Sequence, residues 1–453
     1  MTTIPKLSRT LNDVLTERAD ALARVCGFVR RSSKLSGAAF VQTLVFGWLG
    51  SPMAGIGQLS RVAGALGVPI APQGLEQRFT EAAATYLQHV LAEGVQRLVE
   101  SEPAAVPILR RFTGVYVQDS TTVALPDDVA AAWPACGNSK EPDVATARVK
   151  LQVRLELTRG TVAGPVPHAG RASDRATVTL GTALPAGALF IADLGYFSLP
   201  YLRTLGDDGV FWLSRLQVQT AVFTPDGQRL DLLAWLREHA TTPTVAVDQP
   251  VLLGVGQHLP ARLLAVRVPP EVSATRRRKL KAEARQRGKT VSDARLARAD
   301  WTILVTNVPG ERLTTAEARI LARAGWQIEL LFKRWKSHGH LTDSRSHKTW
   351  RRVCEIFAKL LALLIQHWLF LVTCWRCPNR SLVRAAQLVR QFALALAIAC
   401  NSPAHLAVTI PRLATGLIAG ASIDTRRRSP GTWQLLLAVD SLIDHSQSAD
   451  WAA

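Results

Sequence analysis

Apolar residues recur every three or four positions through residues 7–100, the spacing that gives a helix one buried face. Glycine and proline near residues 50–52, 67–69 and 72–74 break this stretch into several short helices. The pattern then changes to β-branched and alternating residues over 113–125 (TGVYVQDSTTVAL), 147–158 (ARVKLQVRLELT) and 161–168, which predict three strands. A short helix near 174–180 and a further strand in ALFIADLGYFS follow, and together these make an α/β core. Short strands over 209–268 surround a helix near 230–238, and WTILVTN at 301–307 predicts another apolar strand. Helical periodicity runs from 314 to 336 and resumes from about 351 to the C-terminus.

Within the first helical stretch, QLSRVAGALGVPIAPQGLEQRF has the outline of a helix-turn-helix, with Ala63 at the contact between the helices and Gly67 in the turn. Its second helix would offer Gln73, Gln77 and Arg78 to a major groove, although a plain helical bundle accounts for the same pattern.

Charge narrows the partners. The 453-residue chain holds 54 Lys and Arg against 35 Asp and Glu, a formal net charge of +19, and such a surface attracts polyanions, nucleic acid first. Residues 276–298 alone hold ten Lys or Arg and two acidic residues on a helical spacing. A block of one sign is either a solvated face or a phosphate-binding one. A last basic cluster lies at 426–428.

The six cysteines are scattered apart from Cys374 and Cys377, whose apolar setting LVTCWRC reads as buried free thiols rather than half of a zinc site. Reduced cysteines fit a cytoplasmic location. The first twenty residues lack the apolar core of a signal peptide. The longest apolar run, between Lys359 and Arg376, contains Gln366 and His367 and reads as a buried helix, with no membrane association expected.

Three carboxylates stand out. Asp119 and Asp193 fall in apolar strand segments and read as strand-end residues, each open to an ordinary role as a cap or turn. Glu329 lies in GWQIELLFKRWKSH, where Ile328, Leu331, Phe332 and Trp335 make an apolar face. There Glu329, Lys333 and Lys336 make one polar stripe, which an i,i+4 ion pair would also explain. Taken together, two aspartates and a helix glutamate in a basic chain supply the hard oxygen ligands that Mg²⁺ prefers, with Mn²⁺ as the alternative. Two such ions about 4 Å apart could activate an attacking hydroxyl and steady the leaving oxygen at phosphorus.

The string WQIELLFKRWKS resembles the signature helix of the DDE transposases of bacterial insertion sequences. It is most similar to the group typed by insertion sequence four, which includes the transposase of the kanamycin-resistance composite transposon. In that group the signature runs Tyr, two residues, Arg, three residues, Glu, six residues, Lys. Glu329 and Lys336 match its last two members, while Ala322 and Gly325 stand where it has Tyr and Arg. Asp119 in VQDSTT and Asp193 in IADLGYFS match the two catalytic aspartates.

The resemblance implies a ribonuclease H-like core, residues 111–208 and 300–375, interrupted by a β-rich insertion with a basic helix at 209–299. It also implies a DNA-binding helical region at 1–110 and a helical dimerisation region at 376–453. Asp119, Asp193 and Glu329 would hold two metal ions and carry catalysis. Lys336, Lys333, Arg334, Arg323, Arg276, Arg277, Arg278 and Arg78 would contact DNA, and Trp301 would stack on an extruded base, unless it is a core residue of its strand. The implied activity is cleavage at the terminal inverted repeats and joining of the 3′-hydroxyl to target DNA by a homodimer at the nucleoid. Two alternatives stay open: a nuclease without strand transfer, and an inactive DNA-binding derivative suggested by Ala322 and Gly325.

Overall fold

The computed structural model describes all residues except 1, 32–33, 136–145, 174–182, 240–245, 378–379, 423–431 and 438–453. The helix expected near 174–180 and the basic cluster at 426–428 lie outside the described residues.

In chain order the elements are α1 (Ile4–Leu15), α2 (Glu17–Val25), α3 (Gly37–Gly50), α4 (Ile56–Ala65), α5 (Pro72–Glu76), α6 (Glu81–Val95), β1 (Val115–Ala124), β2 (Arg148–Glu156), β3 (Val162–Ala169) and β4 (Leu189–Ala192). Then come α7 (Leu199–Asp207), β5 (Phe211–Arg215), β6 (Val222–Phe223), α8 (Leu232–His239), β7 (Ala246–Leu253), β8 (Leu259–Arg267), α9 (Pro270–Gln286), α10 (Asp293–Arg298) and β9 (Trp301–Thr306). The chain ends in α11 (Thr315–Ala324), α12 (Trp326–Lys333), α13 (Thr349–Thr373), α14 (Leu382–Gln391), α15 (Ala393–Ala399), α16 (Pro403–Gly420) and α17 (Thr432–Leu437).

These elements form two compact units, one of residues 1–105, 119–182 and 327–428, the other of 106–118, 183–326 and 429–453. The first unit is built on α13, a 25-residue helix long and apolar enough to cross a membrane, yet 94% of its apolar window is buried. It packs against α3 and α6, and α3 is itself buried on every face from Phe40 to Leu49. A helix apolar all round belongs in a core, which is the place the run between Lys359 and Arg376 was expected to take. The one ion pair inside α13, Lys359 with Glu355 at 2.7 Å, is nearly sealed from solvent. Lys359 also donates to the carbonyls of His340 and Asp343 at 2.8 and 2.7 Å, which ties the segment after α12 to α13.

The same unit holds the N-terminal helices. Thr3 accepts from the amide of Lys6 to cap α1, and Leu7, Leu11, Val14 and Leu15 form its buried stripe. The expected helix-turn-helix corresponds to α4 and α5, with Gly67 at a positive φ of 82° in the turn. Its second helix is short. Pro72 starts α5 and Glu76 ends it after five residues, so Gln77 and Arg78 fall in the turn beyond it.

In the second unit the strand order is β1-β4-β5-β9-β8-β7-β6, with β1, β4 and β5 parallel and the remainder antiparallel. β1 continues into the first unit, where the order is β3-β2-β1. β5 therefore pairs with β4, although its residues fall in the segment expected to form the insertion. Strands β6 to β8, from the same expected segment, extend the sheet through β9. Phe190, Trp212 and Val305 are among the side chains that fill the core on one face of this sheet.

Candidate active site

β4 is a four-residue strand, LFIA, buried on both faces between two parallel neighbours, which is why it reads as an unbroken apolar run. Asp193 follows it immediately and is exposed. It takes the first position of a short turn over Leu194–Tyr196 without making a capping hydrogen bond. Among the described residues no hydrogen bond or ion pair engages its carboxylate. The end of β4 is fixed from β5, where the buried Ser214 donates its hydroxyl to the carbonyl of Ala192 at 3.0 Å. Residues leaving the carboxyl ends of parallel strands are where open α/β sheets place their ligands.

Asp119 sits within β1, not at its end as the sequence suggested. The β-branched Thr121, Thr122 and Val123 carry the strand on to Ala124. What does end nearby is the pairing with β4, whose last registered pair is Val117 with Ile191. Val117 precedes Asp119 by two residues, and Ile191 precedes Asp193 by two. Asp119 is half-buried and accepts the amide of Ser120 at 2.7 Å.

Glu329 is exposed on α12, while Ile328, Leu331, Phe332 and Trp335 are all buried, as the helical periodicity required. The i,i+4 ion pair that would have made this stripe ordinary is absent: no salt bridge joins Glu329 to Lys333 among the described residues. After Lys333 the helix widens into a π-turn over Arg334–His338, closed by the Gly339 amide on the Arg334 carbonyl at 2.8 Å. Such turns cluster at functional sites because they re-aim side chains. Here the turn carries Lys336, half-buried, whose pKa is lowered by burial, held up by Glu329 and lowered again by Arg148. Glu329, Lys336 and Arg148 are thus close enough to feel one another's charge.

The sequence profile of the transposase DDE domain matches residues 110–365, more than half of the chain and all three carboxylates. The chain belongs to the transposase DDE domain family. It is 26% identical over 374 residues to the transposase for insertion sequence element IS231F of Bacillus thuringiensis subsp. israelensis, covering 78% of this chain and 77% of that one. The transposase for IS231C from B. thuringiensis subsp. berliner is 27% identical over 80% of this chain and 78% of its own. The transposase for IS1151 of Clostridium perfringens is 22% identical over 65% of each. The chain is a bacterial insertion-sequence DDE transposase, an enzyme that acts on DNA.

Not every residue expected to meet DNA in this transposase is presented to it. The Arg334 guanidinium is enclosed, its Nε donating to the Leu330 carbonyl at 3.3 Å, and burial pushes its pKa down to about 10. Arg334 is the first residue of the π-turn, which a search for 3.6-residue periodicity does not reveal. Trp301 is 6% exposed in the core and stays a structural indole. Arg276 donates to the Trp301 carbonyl and the Thr302 hydroxyl, and Arg277 pairs with Asp300 at 2.6 Å. Arg278, Arg323 and Lys333 are exposed, and Arg78 is half-buried. Two arginines outside the expected set, Arg215 and Arg319, lie close to Arg276. Nothing in their local sequence marks them, since strand pairing brings Arg215 there and helix packing brings Arg319.

The donor chemistry suits a hard divalent ion, which takes carboxylate oxygens, and both Asp193 and Glu329 are exposed carboxylates that form no direct salt bridge among the described residues. Asp119 and Glu329 belong to the first unit and Asp193 to the second. Among the described residues no group of three or more His, Cys, Asp or Glu converges on a common point.

Proposed function

We propose that this transposase hydrolyses one strand at each end of its element and joins the freed 3′-hydroxyl to target DNA, using Asp119, Asp193 and Glu329 as its catalytic carboxylates. The observation that carries the reading is Asp193, an exposed and unpartnered carboxylate at the carboxyl end of a fully buried parallel strand. A charge so placed contributes nothing to packing, so its use lies in what it binds. The matching register of Val117 with Ile191 supports assigning Asp119 the same role.

The three carboxylates would hold Mg²⁺, with Mn²⁺ as the alternative and two ions per site, and the bound ions would supply Lewis acidity at the phosphorus oxygens and a more acidic attacking hydroxyl. The chain's own cations do the rest. Lys336, beside Glu329, grips a phosphate near the scissile bond, and its partial burial strengthens that contact over one made in bulk water. Exposed Arg323 contacts the backbone beside the cleavage point, exposed Lys333 and Arg278 contact it farther out, and Gln73, Gln77 and Arg78 meet the terminal inverted repeat.

The order β3-β2-β1, continued by β4 and β5 parallel to β1, supports a ribonuclease H-like core, with β6 to β8 and α9 as the insertion. Residues 376–453 are the region we assign to pairing of protomers on DNA, in a cytoplasmic, nucleoid-associated enzyme. The competing reading is an enzyme that cuts without joining; Ala322 and Gly325, which put neither a phenol nor a guanidinium at those two positions, are what would favour an inactive DNA-binding derivative instead. A joining assay with the element's own end and a plasmid target decides between them: strand-transfer products support the transposase pathway, and nicking without them supports the nuclease.

A further inference from the structure

A guanidinium taken out of water ordinarily brings a counter-ion with it, because desolvated charge is costly when unpaired. The second unit follows this at several places. Arg111 pairs with Glu317 at 2.7 Å, Arg277 with Asp300 at 2.6 Å, and Arg262 with Asp248. Two half-buried arginines of the same unit, Arg276 and Arg319, do not, and the exposed Arg215 and Arg323 lie beside them. Among the described residues no carboxylate forms an ion pair with Arg215, Arg276, Arg319 or Arg323.

These four lie together. Arg276 is fixed on α9 by the Trp301 carbonyl at 3.0 Å and the Thr302 hydroxyl at 3.1 Å, contacts that orient its charge without neutralising it. Its pKa is lowered first by burial and then by Arg215 and Arg319. That of Arg319 is lowered by burial and then by Arg323, one turn along α11. The result is a chain of like charges running from the end of β5 through α9 to α11. A fold holding 35 acidic residues has left this repulsion standing, which is the pattern of a site completed by an anion.

Its location names the anion. Arg215 ends β5 directly after Ser214, whose parallel partner on β4 is Ala192, the residue before Asp193. Arg215 and Asp193 therefore leave the sheet side by side from the carboxyl ends of adjacent strands. α11 packs against β5, and a β-carbon at Gly325, at the end of α11, would lie 3.6 Å from Ile191. The cluster and Asp193 share one edge of the sheet. Four cations are more than a single monoanionic diester can balance.

We propose that Arg215, Arg276, Arg319 and Arg323 clamp two successive backbone phosphates of the DNA strand that passes Asp193, a contact that rests on the transposase reading and adds its phosphate-binding residues. The clamp takes over, from β5, α9 and other positions of α11, the grip that Ala322 and Gly325 cannot provide.

The test uses the full-length chain and a fluorescent duplex bearing its element's end, without divalent metal. Arg319→Gln should lower the slope of log Kd against log salt by about one, and Arg215→Gln with Arg319→Gln by about two. Arg319→Lys, which keeps the charge, should retain most of the slope. The melting temperature of the DNA-free Arg319→Gln protein should stay level or rise, because repulsion is relieved. A falling melting temperature with an unchanged salt slope would overturn the proposal in favour of a structural arginine. Neutral methylphosphonate linkages next to the cleavage point should weaken wild type but not the double variant, and equal weakening of both would also overturn it. Wild type that neither binds nor cuts its own element's end would instead sink the transposase reading itself.

Discussion

The hydroxyl of Ser214 donates to the carbonyl of Ala192 at 3.0 Å, so β5 fixes the residue from which Asp193 emerges. The bond is buried, and it ties the presentation of an exposed carboxylate to a side chain on the neighbouring strand. Ser214→Ala should cost about 1 kcal/mol of stability and leave the Ala192 carbonyl with one partner fewer. DNA cleavage should fall further than that loss explains, since Asp193 would no longer be held in one place. Urea unfolding beside single-turnover cleavage measures both, and cleavage unchanged from wild type would contradict the positioning role.

Lys336 is expected to act on DNA rather than on the fold. Its pKa is lowered chiefly by burial, the mark of an ammonium that costs the folded state something. Lys336→Gln should slow cleavage by about a hundredfold, the scale of losing one charged contact to a transition state. Its melting temperature should be unchanged or higher. A drop of several degrees without loss of cleavage would show that the lysine is structural.

The pair Lys359–Glu355 is a different case, since both partners are nearly sealed from solvent. Glu355→Gln leaves the ammonium without its counter-charge and should cost about 3–5 kcal/mol. Replacing both by Met and Leu should cost much less, because no unpaired charge remains. Thermal melting of the two variants checks this, and equal losses would contradict it.

His367 predicts an acid-side instability. Its Nε2 lies 2.7 Å from the Gly160 carbonyl, which a neutral ring protonated at Nε2 satisfies, and burial pushes its pKa down to about 4. The unfolded chain takes up this proton near the ordinary value of 6.5, so the folded state loses stability as pH falls from about 6.5 to about 4. The contribution is about 3 kcal/mol over that window. Urea titrations at pH 7 and pH 4.5 should show a smaller pH-dependent loss in His367→Gln than in wild type, and identical losses would rule the mechanism out.

Much of this was legible in the chain. Five strands and the helix of Glu329 followed from periodicity, because burial of one face or of a whole strand is written locally. The buried face of Ile328, Leu331, Phe332 and Trp335 is the clearest example. What escaped depends on distant partners. That Arg277 would meet Asp300, and that Arg334 at the start of a π-turn would be enclosed, are outcomes of tertiary packing. β5 fell in the expected insertion because its role comes from pairing with β4, which no residue of FWLSR announces. The uncompensated arginines Arg215 and Arg319 were missed for the same reason: a missing counter-ion is not visible until the neighbours are known.

The measurement that bears most directly on the central claim is Mg²⁺-dependent nicking of a duplex carrying the element's own end, by wild type and by Asp119→Ala, Asp193→Ala and Glu329→Ala. Wild type should nick at the terminal repeat, and each variant should bind the duplex but fail to cut it. A variant that cuts as wild type does would contradict the assignment of these three carboxylates.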